Sequence, residues 1–361
     1  MKKQKYGPSL YYATDKNIFD ALNQHKVDSK TVVNLFERRN IIASSETNRE
    51  DLAKYFSRLP HDYYDHQDIS SKLGIIPRRE RVTSLDVKGD VTFNALEKSI
   101  NIIKKQLEAQ GDVVHISRNN ENVTVQIQYS QIDYKRQEFT QVQIRDGTIE
   151  FVKSEEGYVV RSNQNDYISE VRDMIVSEVQ ENSEGEVERE SISLFDIPLP
   201  KLRSKFFHEL ANNIDGYKKV DVTDVHVFKP KPLPDPDDED SEYIDSHVEK
   251  VFLKGNEVTR SQILNDLLNA DDYYIVRIRW TAEEKLKRGY VFDIEAVFDD
   301  PKDCSKFSFM LKGVFERDAG VLSSKKRAPN KGEIETISKV VELKSRMLKK
   351  SLLEEYMQLP T

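Results

Sequence analysis

The chain has 361 residues and a mass of 42.0 kDa, more than one ordinary domain holds, so two or three folded units are expected. Hydrophobic residues make up 37% and charged residues 33%, yet 16 Phe and 16 Tyr supply enough large side chains for real cores, which argues against a wholly disordered chain. The single cysteine, Cys304, excludes an internal disulfide and a cysteine-based zinc site. No run approaches the ~18 apolar residues of a membrane span and the first residues lack the apolar run of a signal peptide, so a soluble, cytoplasmic protein with no membrane partner is expected. The net charge of -8 is uneven: residues 1–81 carry 15 Lys/Arg against 11 Asp/Glu, and residues 82–361 carry 40 against 52.

Residues 1–27 are set apart as an N-terminal segment, and residues 28–81 read as a small helical module with a basic linker. Asp28 or Ser29 starts a first helix with Val32, Val33, Leu35 and Phe36 on its apolar face; Arg38 and Arg39 fall in its last turn, where positive charge suits the helix dipole. Ile41 and Ile42 follow as an extended apolar plug, and Ser44-Ser45-Glu46 as a polar turn. Thr47-Asn48-Arg49-Glu50 reads as a capping box opening a second helix with Leu52, Tyr55 and Phe56, which Pro60 ends.

This helix, link, helix pattern resembles the SAP and helix-extension-helix family of nucleic-acid-binding modules in Leu35, Arg38-Arg39, Asn40-Ile41-Ile42, Ser44-Ser45, Thr47, Asp51-Leu52 and Tyr55-Phe56. The match covers about 30 residues; Asn40 stands where the family usually has glycine, and Arg49 stands near the place of a missing lysine beside Thr47. The resemblance implies DNA binding through the second helix's N-terminus and the preceding turn, and RNA is a further candidate partner. Ser44, Ser45 and Thr47 would lie at the phosphate, with Arg38, Arg39, Arg49, Lys54 and Arg58 supplying charge. Contacts of this kind position the backbone without reading bases. A two-helix hairpin also serves to dock on protein or on the rest of its own chain. Arg78, Arg79 and Arg81 continue the basic surface into the linker.

Between these, residues 61–68 gather His61, Asp62, Asp65 and His66. On a helix, Asp62 and His66 stand four apart and are ligand-compatible, but no further ligands are placed and Asp65 serves equally as a helix cap, so no metal or other cofactor is expected.

Residues 82–181 read as an α+β domain of helix, β-meander and helix. Thr92 caps a helix with Phe93, Leu96, Ile100, Ile103 and Leu107 on one face, and Gly111 ends it. Val123, Val125, Ile127 and Tyr129 alternate with polar residues as a strand; Asp146-Gly147 reads as a hairpin turn; Tyr158, Val159 and Val160 form another strand; and Ile168, Val171, Ile175 and Val179 return to helical spacing. An acidic stretch at 181–188 closes the domain.

Residues 190–361 read as a second antiparallel α+β domain. The expected elements are a strand at 192–195, a helix at 199–213, strands at 220–227 and 248–253, a short helix capped by Thr259, strands at 273–280, 290–298 and 307–315, and a helix from 333 to about 357. The Pro- and Asp-rich run 229–247 is a flexible acidic loop, and residues 323–332 a basic loop able to touch phosphate. The whole is therefore α+β: a small N-terminal helical module followed by two antiparallel-sheet domains.

No phosphate-cradling glycine loop, nucleophile elbow or His-Glu-x-x-His helix occurs, and Cys304 has no local catalytic partner. Asp293 and Glu295 project to one strand face as a carboxylate pair, which the polar side of a half-exposed sheet would also produce. The sequence thus points to a non-enzymatic nucleic-acid-binding subunit acting with a protein partner. The alternative is an adaptor in a multi-component bacterial or phage-related system.

Overall fold

The computed structural model describes residues 13–24, 27–44, 46–73, 79–136, 138–231, 248–270, 272–285, 289–318 and 321–359. The protein is α+β, with an N-terminal helical region followed by a large antiparallel sheet. Expected features at Ser45, Arg78 and most of the acidic loop 229–247 lie outside the described residues.

Helix α1 (Asp15–Leu22) was not read from the sequence, although it opens on a capping box in which the Thr14 hydroxyl accepts from the Asn17 amide and the Asn17 side chain accepts from the Thr14 amide. Asp28 caps α2 (Ser29–Glu37) by accepting from the Thr31 amide at 2.8 Å. The expected capping box of α3 (Arg49–Ser57) is one residue out of register. Asn48, not Thr47, is the cap, and its side chain accepts from the Asp51 amide at 2.9 Å. Helix α4 (Tyr63–Leu73) follows, then β1 (Val82–Lys88) and α5 (Phe93–Glu108). Thr92 accepts from the Ala95 amide and Gly111 takes φ 91°, the stop and start expected for α5.

Strands β2 (Val113–Asn119) and β3 (Asn122–Ile132) lead through the short helix α6 (Glu138–Gln141) to β4 (Val142–Ser154) and β5 (Gly157–Asn163). The Asp146-Gly147 hairpin does not form; β4 runs straight through it, because Gly147 sits in extended backbone rather than at the positive φ that a two-residue hairpin turn requires. The reversal comes at Glu155-Glu156 before Gly157, whose φ is 147°. A Cβ there would stand 2.2 Å from the Val87 carbonyl oxygen, so the close pairing of β5 with β1 demands glycine.

Helix α7 (Asp166–Asn182) buries Ile168, Val171, Ile175 and Val179. Strand β6 (Glu188–Ser191) replaces the strand expected at 192–195; Ile192 and Leu194 are core residues of the connection that follows, where the Leu194 amide bonds the Cys304 carbonyl. Then come α8 (Pro200–Asn212), β7 (Tyr217–Phe228) and β8 (Lys250–Lys254). Thr259 caps nothing, since it lies inside a 3-10 turn, Val258–Arg260, ahead of α9 (Gln262–Asn269). Strands β9 (Tyr274–Glu284), β10 (Tyr290–Asp300) and β11 (Ser305–Asp318) match expectation. The first half of the supposed basic loop is instead part of β12 (Val321–Arg327), paired with β11, before α10 (Lys331–Met357).

The contacts divide the chain into two compact units that do not follow its order, one comprising Met1–Arg79 with Leu96–Ile149 and the other Glu80–Ala95 with Glu150–Thr361. In the first, α1, α2, α3 and α4 enclose Ile18, Leu22, Val32, Leu35, Phe36, Leu52, Phe56 and Ile69, and Phe139 of α6 completes this core. In the second, the antiparallel order is β5-β1-β11-β10-β9-β7-β8, with β6 also on β1 and β12 on β11. One face of this sheet, with Ile278, Trp280, Ile294, Ala296, Phe298 and Phe309, joins one core with Phe206, Phe207 and Leu210 of α8 and Ile337 and Val341 of α10. Strand alternation puts Arg277, Arg279, Asp293 and Glu295 on the other face.

Candidate functional site

The link between α2 and α3 has one feature the sequence anticipated: Asn40 takes φ 56°, the left-handed turn for which glycine is usual. The plug does not form. Ile41 is 38% and Ile42 is 96% exposed, because the gap between α2 and α3 is already filled by Phe36 packed edge-on against Phe56 at 5.3 Å.

The arginines are mostly turned to internal partners. Arg38 pairs with Asp68, and Arg39 pairs with Asp65 while lying 4.9 Å over the Phe56 ring. Arg49 donates from Nε and Nη2 to the Leu22 carbonyl at 3.1 and 2.7 Å, and from Nη2 to the Gln24 carbonyl, so it closes the C-terminus of α1. These partners lie 25 to 30 positions away in sequence and no local pattern announces them. The α3 N-terminus carries Glu50 and Asp51 in its first turn, and Asn48 already occupies the Asp51 amide. Negative charge at that end and an occupied donor make it a poor phosphate cradle. Ser44 accepts from the Glu46 amide at 3.2 Å, and Thr47 donates its amide to the Ser44 carbonyl at 3.1 Å.

What remains turned outward is the flank of α3. Lys54 and Arg58, one turn apart, are exposed and make no ion pair among the described residues; Tyr55 between them is 63% exposed. Lys54 and Arg58 were anticipated as charge donors; the exposure of Tyr55, read from sequence as apolar-face filling, was missed. Arg79 is exposed in the linker, whereas Arg81 belongs to the second unit and pairs with Asp299 at 2.6 Å.

The segment 61–68 makes no metal group among the described residues. Asp62 and Asp65 cap one another's amides at 2.9 and 3.2 Å, and His66 is buried 5.7 Å from the Phe139 ring. Burial, joined by the Arg39 charge, holds the His61 imidazole below its ordinary range.

Asp293 and Glu295, the carboxylate pair, are 1% and 2% exposed; each accepts from two cations, and Arg81 stands a further 4.0 Å from Glu295. Asp293 takes both Nε and Nη2 of Arg279 at 2.8 and 2.7 Å and Lys326 Nζ at 2.8 Å. Glu295 takes Arg277 Nη2 at 2.5 Å and Lys312 Nζ at 3.2 Å. Burial pushes against ionisation in both, and the surrounding cations outweigh it, so both carboxyls lie below their ordinary range. Beside them, His226 Nε2 stands 2.8 Å from Asp224 Oδ1. Cys304 is buried, and burial raises its thiol to about 12, as suits an inert residue. No described helix is long and apolar enough to cross a membrane.

Compared with known proteins, the chain matches no family model, and a search of curated proteins gave no match.

Proposed function

We propose that the protein is a nucleic-acid-binding subunit, with DNA as its first ligand, that meets the phosphate backbone through the outward flank of α3. The observation that carries this reading is the row Lys54, Tyr55, Arg58: two cations one turn apart that make no ion pair among the described residues, flanking an exposed aromatic ring. Cations neutralise phosphates and release counterions, while an exposed ring offers a base a stacking surface. The SAP-like helix, link, helix pattern supports the same ligand through part of the surface the resemblance implies, Lys54 and Arg58, since Arg38, Arg39 and Arg49 have partners within the chain. Contacts of this kind give affinity without base discrimination.

The test is fluorescence anisotropy of the intact protein with labelled duplex DNA, single-stranded DNA and RNA, beside Lys54→Glu with Arg58→Glu. Binding by the wild type and a marked weakening of it in the variant, with circular dichroism unchanged, are the expected results; equal binding by both proteins contradicts the site.

A second reading, docking on a protein partner, is favoured by one observation: Ile42 at 96% and Tyr55 at 63% exposure sit in the same module. Ile42→Ser then abolishes partner capture while leaving DNA affinity unchanged.

A further inference from the structure

The second unit carries a sheet face on which two buried acids lie beneath partly exposed cations. Four cations, Arg277 and Arg279 on β9, Lys312 on β11 and Lys326 on β12, bond Asp293 and Glu295 on β10, Arg81 stands 4.0 Å from Glu295, and Asp224 of β7 lies beside Arg279. The layering is uneven: the Asp293 and Glu295 side chains are 1% and 3% exposed, against 23% to 35% for the four cations. The acids lie at the floor and the cations face outward.

Two backbone devices aim those cations. The β10–β11 pairing shifts so that Asp293 faces Gly313 while Ile294 faces Leu311, leaving Lys312 as the extra residue of a bulge beside Glu295. At Gly313 a Cβ would fall 2.5 Å from the Lys326 side chain, so the missing side chain is what lets Lys326 cross from β12 to Asp293. A donor also remains over: Arg279 uses Nε and Nη2 on Asp293, which leaves Nη1 with no hydrogen-bond partner among the described residues. A buried ion pair is a costly way to stabilise a sheet, for apolar residues of similar volume usually do as well or better. Floor acids that stay ionised fix the guanidinium and ammonium groups in position, the arrangement an anion site needs before its ligand arrives.

We propose that this face, centred on Arg277, Arg279, Lys312 and Lys326, binds a phosphate group, presented either by a free phosphate compound or by a nucleic-acid backbone. The site is on the sheet and shares no residue with the α3 flank, so it is tested with the α3 cations disabled.

The experiment is isothermal titration of the full chain carrying Lys54→Glu and Arg58→Glu with inorganic pyrophosphate, an unlabelled thymidine oligonucleotide and a polyglutamate peptide. It is repeated with Lys312→Gln and Lys326→Gln added, which leave a polar amide beside the floor acids while removing charge. Saturable binding of pyrophosphate or the oligonucleotide, weakened at least tenfold by the two glutamines, is expected; pyrophosphate alone identifies a small phosphate ligand, and the oligonucleotide alone a backbone. No saturable binding of either, unchanged affinity in the glutamine variant, or equal binding of polyglutamate overturns the proposal. Should the glutamine variant fail to fold, amine-reactive labelling of the wild type read by mass spectrometry decides: saturating pyrophosphate or oligonucleotide must slow modification of Lys312 and Lys326, and undiminished labelling under both overturns it.

Discussion

Arg49 shows how a residue that looks free in sequence is fixed by the fold. Its guanidinium holds the last carbonyls of α1, a charge-assisted contact worth about 1.5–3 kcal/mol. Arg49→Ala is therefore expected to lower urea-unfolding stability by about that amount, and any loss of nucleic-acid binding should follow from the loss of fold; undiminished stability would remove Arg49 from the structural role. Histidines give a second residue-level expectation. Burial lowers the imidazoles of His61, His208 and His226, aided by the charges of Arg39, Lys219 and Arg277 respectively. A base whose folded pKa lies below its unfolded value of about 6.5 binds its proton more readily when unfolded. The folded state should therefore lose stability as pH falls from about 6.5 through the lowered values. Denaturant midpoints at pH 7.5 and 5.5 check this, and His208→Gln should reduce the difference.

Among the elements, those whose signals are local were readable. Thr92 and Gly111 bracket α5 because capping and a left-handed stop are properties of a few adjacent residues, and the alternation Val123, Val125, Ile127, Tyr129 follows directly from strand geometry. Asp146-Gly147 misled because the same dipeptide fits either a turn or an extended strand, and strand pairing decides between them. Helix α6 went unread because four residues carry no period, yet Phe139 within it is 4% exposed and completes the core of the helical cluster. Phe139→Ala should cost about 3–5 kcal/mol and loosen α4, measurable as faster amide exchange in α4 than in α10. Equal protection of both helices in the variant would contradict this packing. The candidate surface was half legible for a related reason. Basic residues can be counted in sequence, but whether Asp65, Asp68 or a distant carbonyl claims them depends on the tertiary fold, so Lys54 and Arg58 could not be told from Arg38, Arg39 and Arg49.

Taken together, each of the two compact units joins separate stretches of the chain. The helical cluster needs α1 from before residue 28 and Phe139 from well beyond residue 81; Ile18, Ala21 and Leu22 are each 0% exposed within it. A fragment of residues 28–81 should accordingly lack cooperative thermal unfolding, whereas SAP-like behaviour as an autonomous module would give a sharp transition. That dependence ties any nucleic-acid contact on α3 to the integrity of the surrounding unit, and it makes the intact chain the object to test. The most direct measurement is the salt dependence of duplex DNA affinity for wild type and for Lys54→Gln with Arg58→Gln. If these two cations meet phosphates, the slope of log affinity against log salt should become shallower by about two in the variant. An identical slope in both proteins, or affinity that does not change with salt, would contradict the assignment of the α3 flank to the nucleic-acid backbone.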